Sequence, residues 1–141
     1  MSGTLKICSI SDEVQEKLKK FRFRKATTIA ALVLKISKDT QEFTVEEELE
    51  DCTIEELQSS LPERQPRFVI ISYRIEHSDG RSSYPLCMVF LSPQGVNPEL
   101  QMMYAGSKNN LAKTAGVGKE FEIRELEELT DELLLERLRP N

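Results

Sequence analysis

The sequence predicts a single α/β domain of the α+β type, in which a mixed β-sheet is sandwiched between α-helices. Three observations support this fold class. The chain has 141 residues, 39% hydrophobic and 30% charged, which is the composition of a globular domain with its own core. Hairpin-like pairs of apolar runs alternate with segments of helical period. No apolar run reaches the roughly 20 residues that a membrane-spanning helix needs.

The predicted order of elements is α-β-β-α-β-β-α-β-α. The segments are a helix over 9–20, strands over 29–36 and 42–46, a helix through Ile54, Leu57 and Leu61, strands over 68–75 and 84–91, a helix from Asn97 to Gly116, an edge strand over 119–123 and a helix from Thr130 to Pro140. Because hairpins alternate with helices, we expect helices to cover both faces of the sheet. The domain is expected to span residues 1–141, with its core at about 5–139.

Each predicted helix begins at a residue whose side chain can accept a hydrogen bond from a free backbone amide. These capping residues are Ser11, Thr53, Asn97 and Thr130. Thr53 and Glu56 have the spacing of a capping box, and Asn97 precedes a proline, which is favoured in the first helical position. In the first helix, Val14, Leu18 and Phe21 recur at helical spacing and form a narrow apolar face.

The predicted strands differ in burial. The runs 29–36 and 68–75 are apolar on both faces, which is typical of central strands. Asp79-Gly80 is a strong turn signal, so 84–91 should return antiparallel to 68–75. Pro85 must then lie near the start of its strand or at an edge, because proline cannot donate to the ladder.

The charge is unevenly distributed. The net charge of −5 argues against a general nucleic-acid-binding protein. Residues 17–25 nevertheless carry six cations and no acid, whereas residues 42–56 carry eight acids and no base. From 119 to 141 there are eight acids against four bases. A protein with separate positive and negative faces can orient itself on a protein partner.

No pattern of residues predicts catalysis, a metal site or a cofactor. The chain has one histidine, His77, and three cysteines at spacings that fit free thiols better than a zinc site. His77 and Cys87 could form a nucleophilic pair, but a buried strand thiol and an exposed turn histidine explain them better. Because no catalytic constellation is present, we expect that the protein is not an enzyme. Residues 1–6 lack the apolar stretch of a secretory signal, so we expect it in the cytosol.

Two segments are candidates for binding a partner. Met102, Gly106, Asn109 and Lys113 share one sector of the long helix, opposite its core face, as on a docking helix or an ordinary surface helix. The basic run 17–25 could complement a helix dipole or contact an acidic protein surface. A nuclear-import or phosphoinositide patch is a further alternative for this run.

Four segments closely resemble the glia maturation factor family. They are KFRFRK at 20–25, LPERQPRF at 61–68, SYPLC at 83–87 and QMMYAGSKN at 101–109. The last segment also contains Met102, Tyr104, Ala105, Ser107 and Lys108, which are similar to a Met-x-Tyr-Ala-x-Ser-Lys pattern in the long helix of the cofilins. The resemblance implies an actin-depolymerising-factor homology domain and covers essentially the whole chain.

The resemblance also implies a function. Glia maturation factors bind the actin-related protein 2/3 complex, inhibit its actin nucleation and promote debranching of filament networks. We therefore expect a monomer without cofactors that binds neither nucleic acid nor membrane. We expect it in the cytoplasm at the actin cytoskeleton and the cell leading edge, and also in the nucleus. The alternative is a cofilin-like protein that binds actin monomers and filaments and severs them.

Two residues favour the first function. Cofilins place lysines just before the matched methionine, where this chain has Glu99 and Gln101. The substitution removes positive charge that would face actin. We therefore expect actin binding to be weak or absent.

The resemblance and the helix pattern together define two candidate surfaces. The first surface, which would dock on the actin-related protein 2 subunit, comprises Ser2, Thr4, Leu5, Lys20, Arg22, Met102, Met103, Gly106, Lys108, Asn109 and Lys113. The second surface, which would reach a neighbouring subunit or actin, comprises Asp79, Arg81, Glu127, Asp131 and Glu132. The helical wheel places Met103 on the core side. Ser2 and Tyr104 are candidates for phosphorylation, which would add negative charge to the first surface.

Overall fold

A five-stranded sheet with helices on both faces forms the body of the molecule in the computed structural model, which describes residues 8–25 and 27–139. The elements are α1 (Asp12–Phe23), β1 (Ala30–Ile36), β2 (Phe43–Leu49), α2 (Ile54–Ser60), β3 (Arg67–Ser72), β4 (Ile75–Glu76), β5 (Ser82–Ser83), β6 (Leu86–Leu91), α3 (Pro98–Ala115), β7 (Lys119–Ile123) and α4 (Asp131–Leu138), with a 3-10 turn at Leu126–Glu128. No helix in the described ranges combines the length and the apolar character needed to cross a bilayer.

The strand order in the sheet is β2-β1-β3-β6-β7. All neighbours are antiparallel except β6 and β7, which run parallel, so the sheet is mixed as predicted. One apolar cluster joins α1 and α3 to one face of the sheet, and a second joins α2 and α4 to the other face. Side chains of β1, β3 and β6 alternate between the two clusters, because successive residues of a strand point to opposite faces.

The helix caps form as predicted. The side chains of Ser11, Thr53, Asn97 and Thr130 accept hydrogen bonds from amides in the first turns of their helices, and Thr53 completes a capping box with Glu56. Helix α1 is longer than the predicted 9–20, since it continues to Phe23. Burial of Phe21 and the cations in the last turn favour this extension.

The hairpin predicted over 68–75 and 84–91 is interrupted. Ser72 pairs with Leu86, and Ile75 pairs with Ser83 in the same register, but no continuous ladder joins the two pairs. Between them the Tyr73 amide donates to the Pro85 carbonyl at 3.1 Å, and Pro85 has no amide to return the bond. The hairpin therefore divides into a long ladder, β3–β6, and a short tip, β4–β5, which turns at Gly80 as predicted.

A β-bulge lies in β2, which is longer than the predicted 42–46. Val45 pairs with Leu34 and Glu47 with Val33, so Glu46 is the extra residue. The two-residue alternation shifts at this point, which explains why the sequence pattern predicted a shorter strand. The bulge directs the Glu46 carboxylate to the buried Arg67 of β3, whose Nε donates to Oε1 at 2.9 Å.

Candidate protein-binding site

The outer face of the 18-residue helix α3 is the first candidate feature. Met102 is 58% exposed, Asn109 and Lys113 are exposed, and Gly106 is half-buried. The predicted sector thus faces away from the core, and it is about 17 Å long at the rise of an α-helix. Glycine at 106 places no side chain in the middle of this face.

The opposite face of α3 is fixed to the core. The Tyr104 ring lies 5.5 Å from the Phe68 ring, centroid to centroid, and its hydroxyl accepts a hydrogen bond from the Ile36 amide at 2.9 Å. Tyr104 is only 2% exposed, and burial raises its pKa. Contrary to the sequence-based expectation, the folded protein does not present this hydroxyl for phosphorylation.

The segment preceding α1 attaches to the middle of α3. The buried Ser107 hydroxyl accepts a hydrogen bond from the Cys8 amide at 3.0 Å, and the Asn110 side-chain amide donates to the Cys8 carbonyl at 3.3 Å. Ser107, a residue of the family pattern, therefore has a structural role. The N-terminal members of the first surface, Ser2, Thr4 and Leu5, lie outside the described residues.

The ends of α1 and α3 meet at Gly116, the C-terminal cap of α3. Gly116 has a φ of 72°, and a Cβ built on it would lie 2.5 Å from Arg22 Nη1 and 2.8 Å from Arg22 Cδ. The absence of a side chain thus lets Arg22 cross the carboxyl end of α3, where its charge complements the helix dipole. The Arg22 guanidinium carbon also lies 4.5 Å from the centroid of the Phe23 ring.

Lys20 occupies a different flank of α1 from Arg22. At 100° per residue, the two side chains point about 160° apart around the helix. Arg22 borders α3, whereas Lys20 lies nearer to Lys17, whose ammonium is 3.6 Å from the Glu48 carboxylate of β2. Both predicted residues are exposed, but they flank the end of α1 rather than line one side of it.

Two ion pairs join the basic tract to the acidic tract. The structure places α1 beside β2, so that Lys17 meets Glu48 and Arg24 meets Glu50, at 3.2 Å in the second pair. The acidic tract therefore neutralises two of the six cations of the basic run, and the two charged tracts are only partly separate. Four cations of the basic run have no carboxylate within 4.0 Å in the described part of the chain: Lys19, Lys20, Arg22 and Lys25.

Two members of the first surface are less available than the resemblance implies. Met103 is half-buried and packs against the first core cluster, as the helical wheel places it. Lys108 is also half-buried, and its ammonium lies 3.6 Å from the Glu120 carboxylate of β7. The accessible part of this surface therefore consists mainly of the outer α3 sector and the end of α1.

The second surface consists of two separate groups. Asp79 and Arg81 pair with each other at 2.7 Å in the hairpin tip, and hydrogen bonds from the Arg81 backbone and side chain lower the pKa of Asp79. Asp131 accepts a hydrogen bond from the Tyr73 hydroxyl at 2.6 Å at the start of α4. Glu127 and Glu132 are exposed nearby in sequence. A groove lined by 75–78 and Arg139 connects the hairpin to the other end of α4.

Cys87 and His77 do not form a nucleophilic pair. Cys87 is fully buried in β6, and burial raises the pKa of its thiol to about 12. A thiol in this environment stays protonated and out of contact with solvent. The imidazole of His77 instead shares a 2.8 Å hydrogen bond with the Ser83 hydroxyl in the hairpin tip. Cys8 and Cys52 are buried as well.

Phe23 is a candidate that the sequence analysis missed. Its side chain is 67% exposed at the last residue of α1. The predicted helix ends at residue 20, so the prediction does not place Phe23 on a helical face. The signal was present in the spacing of Val14, Leu18 and Phe21, because a helix extended by three residues points Phe23 away from that buried stripe.

The family model described as "Cofilin/tropomyosin-type actin-binding protein" matches residues 7–139. The fold agrees with this match. The actin depolymerization factor 2 of Plasmodium berghei superposes with a TM-score of 0.81 at 21% identity, covering 97% of this chain and 100% of that one. Fold and family model together define a cofilin-type domain.

Closer relatives identify the family within this class. Glia maturation factor beta from Homo sapiens is 54% identical over 138 residues, covering 98% of this chain and 97% of that protein. Glia maturation factor from Drosophila melanogaster is 47% identical over 133 residues, covering 94% and 96%. The solution structure of glia maturation factor from Caenorhabditis elegans has a TM-score of 0.84 at 48% identity, covering 98% and 100%. The chain belongs to the glia maturation factor family.

Proposed function

We propose that this protein binds the actin-related protein 2/3 complex, inhibits its nucleation of actin filaments and promotes the debranching of filament networks. The observation that carries the proposal is the outer face of α3, which presents Met102, Gly106, Asn109 and Lys113 on a rigid helix anchored through Tyr104. Membership of the glia maturation factor family supports the choice of partner. The protein acts by binding, without catalysed chemistry.

The α3 face and the end of α1 dock on the actin-related protein 2 subunit. Binding there favours a conformation of the complex that cannot nucleate or hold a branch, because a ligand shifts an equilibrium towards the state it binds more tightly. The second surface contacts a neighbouring subunit or the first actin of the daughter filament. Phosphorylation of Ser2 adds negative charge to the first surface and weakens binding.

Weak or absent actin binding is part of the proposal. Glu99 is exposed in the first turn of α3, and its amide is bound by the Asn97 cap. The Gln101 side chain turns inward, where Nε2 donates to the hydroxyl of the buried Ser92. Neither position therefore presents a cation beside Met102, as the cofilin pattern would.

The test compares two partners side by side. Binding of the purified protein to the actin-related protein 2/3 complex is measured by anisotropy, and binding to actin filaments by co-sedimentation. A Met102→Ala/Lys113→Ala variant removes exposed groups from the α3 face, and Glu55→Ala on α2 is the matched control on the other face of the sheet. We expect selective binding to the complex that the variant loses and the control keeps.

The opposite result favours the alternative function. Micromolar co-sedimentation with filaments, without binding to the complex, would identify a cofilin-like actin-binding and severing protein. Branched networks assembled with the complex provide the second readout, because the proposed protein lowers the number of branches per filament.

We expect a monomer in solution. We also expect localisation at the cytoplasmic actin cytoskeleton and leading edge, with a nuclear pool, and imaging tests both locations.

A further inference from the structure

Two large apolar side chains are exposed in the described part of the chain: Met102 at the start of α3 and Phe23 at the end of α1. Met102 belongs to the first surface, whereas Phe23 belongs to neither that surface nor the two core clusters. An aromatic side chain that leaves two thirds of its surface in water is a strong candidate for an interface anchor, since such anchors are enriched in aromatic residues.

The direction of the Phe23 side chain follows from its place on helix α1. Phe21 is buried against the core, and Phe23 points about 200° further round α1, directly into solvent. The buried stripe of Val14, Leu18 and Phe21 fixes this orientation along two turns. Phe23 is therefore presented at a defined place on the surface.

Arg22 holds the Phe23 ring in place. Its guanidinium carbon lies 4.5 Å from the ring centroid, and the same side chain crosses Gly116 at the end of α3. A cation over an aromatic face is attracted by the ring quadrupole, so the stack limits the rotamers of both side chains. A side chain that is already ordered loses less entropy when a partner binds it.

The charges around Phe23 specify the partner's chemistry. The Arg22 guanidinium stacks on the ring, and Lys19 and Lys20 precede Phe23 by four and three residues, which is the spacing of neighbours on a helix surface. None of these three cations has a carboxylate within 4.0 Å in the described residues. Unpaired cations around an apolar group complement a pocket with an acidic rim. A pocket of this kind on a protein fits better than a lipid surface, because the protein's net charge is −5.

We propose that Phe23 is a further anchor of the binding surface and inserts into an apolar pocket rimmed by carboxylates on the actin-related protein 2/3 complex. This inference rests on the proposed function. Phe23 and Met102 then form two apolar anchors at opposite ends of the α3 face. Arg22 acts as the positioning residue of Phe23.

The experiment measures the Kd of the purified complex for the full-length protein and three variants. Phe23→Ala removes the anchor, Phe23→Leu keeps an apolar group, and Glu16→Gln is a matched control two turns earlier on the outer face of α1. We expect Phe23→Ala to raise Kd about tenfold or more, Phe23→Leu to raise it less, and the control to match the wild type. Unchanged urea midpoints show that all variants are folded.

The other outcomes overturn the inference and separate it from the proposed function. If Met102→Ala weakens binding but Phe23→Ala does not, the partner is correct and Phe23 is not an anchor. If the wild type does not bind the complex, both proposals fail. If Phe23→Ala abolishes binding to phosphatidylserine vesicles but keeps its affinity for the complex, the side chain serves a membrane instead.

Discussion

At the scale of a residue, Glu46 shows how one carboxylate can join three strands. It lies at the bulge of β2, and its oxygens are 2.9 Å from Arg67 Nε on β3 and 3.6 Å from the Lys35 ammonium on β1. The hydrogen bond from Arg67 is the main cause of the lowered pKa of Glu46, against an opposing effect of burial. Arg67 is 7% exposed, so losing its partner would leave a buried charge.

We predict that Glu46→Gln lowers the free energy of unfolding by about 1–3 kcal/mol at pH 7, because a buried guanidinium loses a charged, two-point acceptor. Urea unfolding at pH 7 measures the change. Glu47→Gln removes a charge from the exposed neighbour and should have little effect. Equal effects of the two substitutions would contradict a specific role for Glu46.

The same interaction sets a pH dependence. Since the folded pKa of Glu46 is depressed, its contribution is complete above the unfolded value, near 4.5, and is lost as pH falls through the folded value. The stability difference between wild type and Glu46→Gln should therefore shrink between pH 7 and about pH 3. A difference that stays constant over this range would show that the carboxylate is not the cause.

The helix-capping residues could be predicted from the sequence, whereas the role of Glu46 could not. Ser11, Thr53, Asn97 and Thr130 cap their helices because capping depends only on residues a few positions away. Glu46 lies in an acidic run whose pattern predicts a solvent-exposed face. Which member of that run reaches Arg67 depends on the strand register, and no local pattern encodes that.

At the scale of an element, the junction of α1 and α3 depends on Gly116. An alanine there would take a strained φ of 72° and place its Cβ within 2.8 Å of the Arg22 side chain. We predict that Gly116→Ala lowers the free energy of unfolding by about 1–2 kcal/mol and, by displacing Arg22, weakens binding to the complex. Thermal unfolding and the anisotropy assay measure the two effects.

Gly118 supplies the control for this prediction, because a Cβ at that position meets no atom within 4 Å. Gly118→Ala should leave stability and affinity near the wild-type values. A Gly116→Ala variant that loses stability but binds normally would separate the helix cap from the placement of Arg22.

The elements themselves were largely predictable, and the errors have physical causes. The β3–β6 pairing and the turn at Gly80 followed from apolar runs and turn residues. The interruption of the hairpin follows from the missing amide of Pro85, which the sequence placed only near a strand start. Helix α1 was predicted too short although Phe21 continues the apolar spacing of Val14 and Leu18; the packing of Arg22 across Gly116, at the same helix end, is a tertiary contact with no local signal.

At the scale of the whole molecule, the unpaired cations at the end of α1 oppose a net charge of −5. We predict that the association rate with the complex falls several-fold from about 0.05 M to 0.3 M salt, with a smaller change in the dissociation rate, because screening weakens long-range attraction. Stopped-flow fluorescence measures both rates. A Lys19→Gln/Lys20→Gln variant should show a flatter salt dependence, and a salt-independent wild type would contradict the prediction.

The exposed sector of α3 could be predicted from one helical wheel, but the assembled surface could not. Its remaining part depends on α1 packing beside α3, which brings Arg22 to Gly116 over a long sequence separation. The two ion pairs of the basic run, Lys17 with Glu48 and Arg24 with Glu50, have the same origin, since β2 and α1 meet only in the folded chain. Long-range contacts of this kind have no signature in local residue spacing.

The burial of all three cysteines has a practical consequence. Cys8, Cys52 and Cys87 are 1%, 8% and 0% exposed, so a maleimide would find no accessible native thiol in the folded protein. A cysteine introduced at the exposed Ser59 of α2, on the sheet face opposite α1 and α3, would be the single labelling position. One dye at that position would make individual molecules visible, and so would test whether they arrive at a filament branch as proposed.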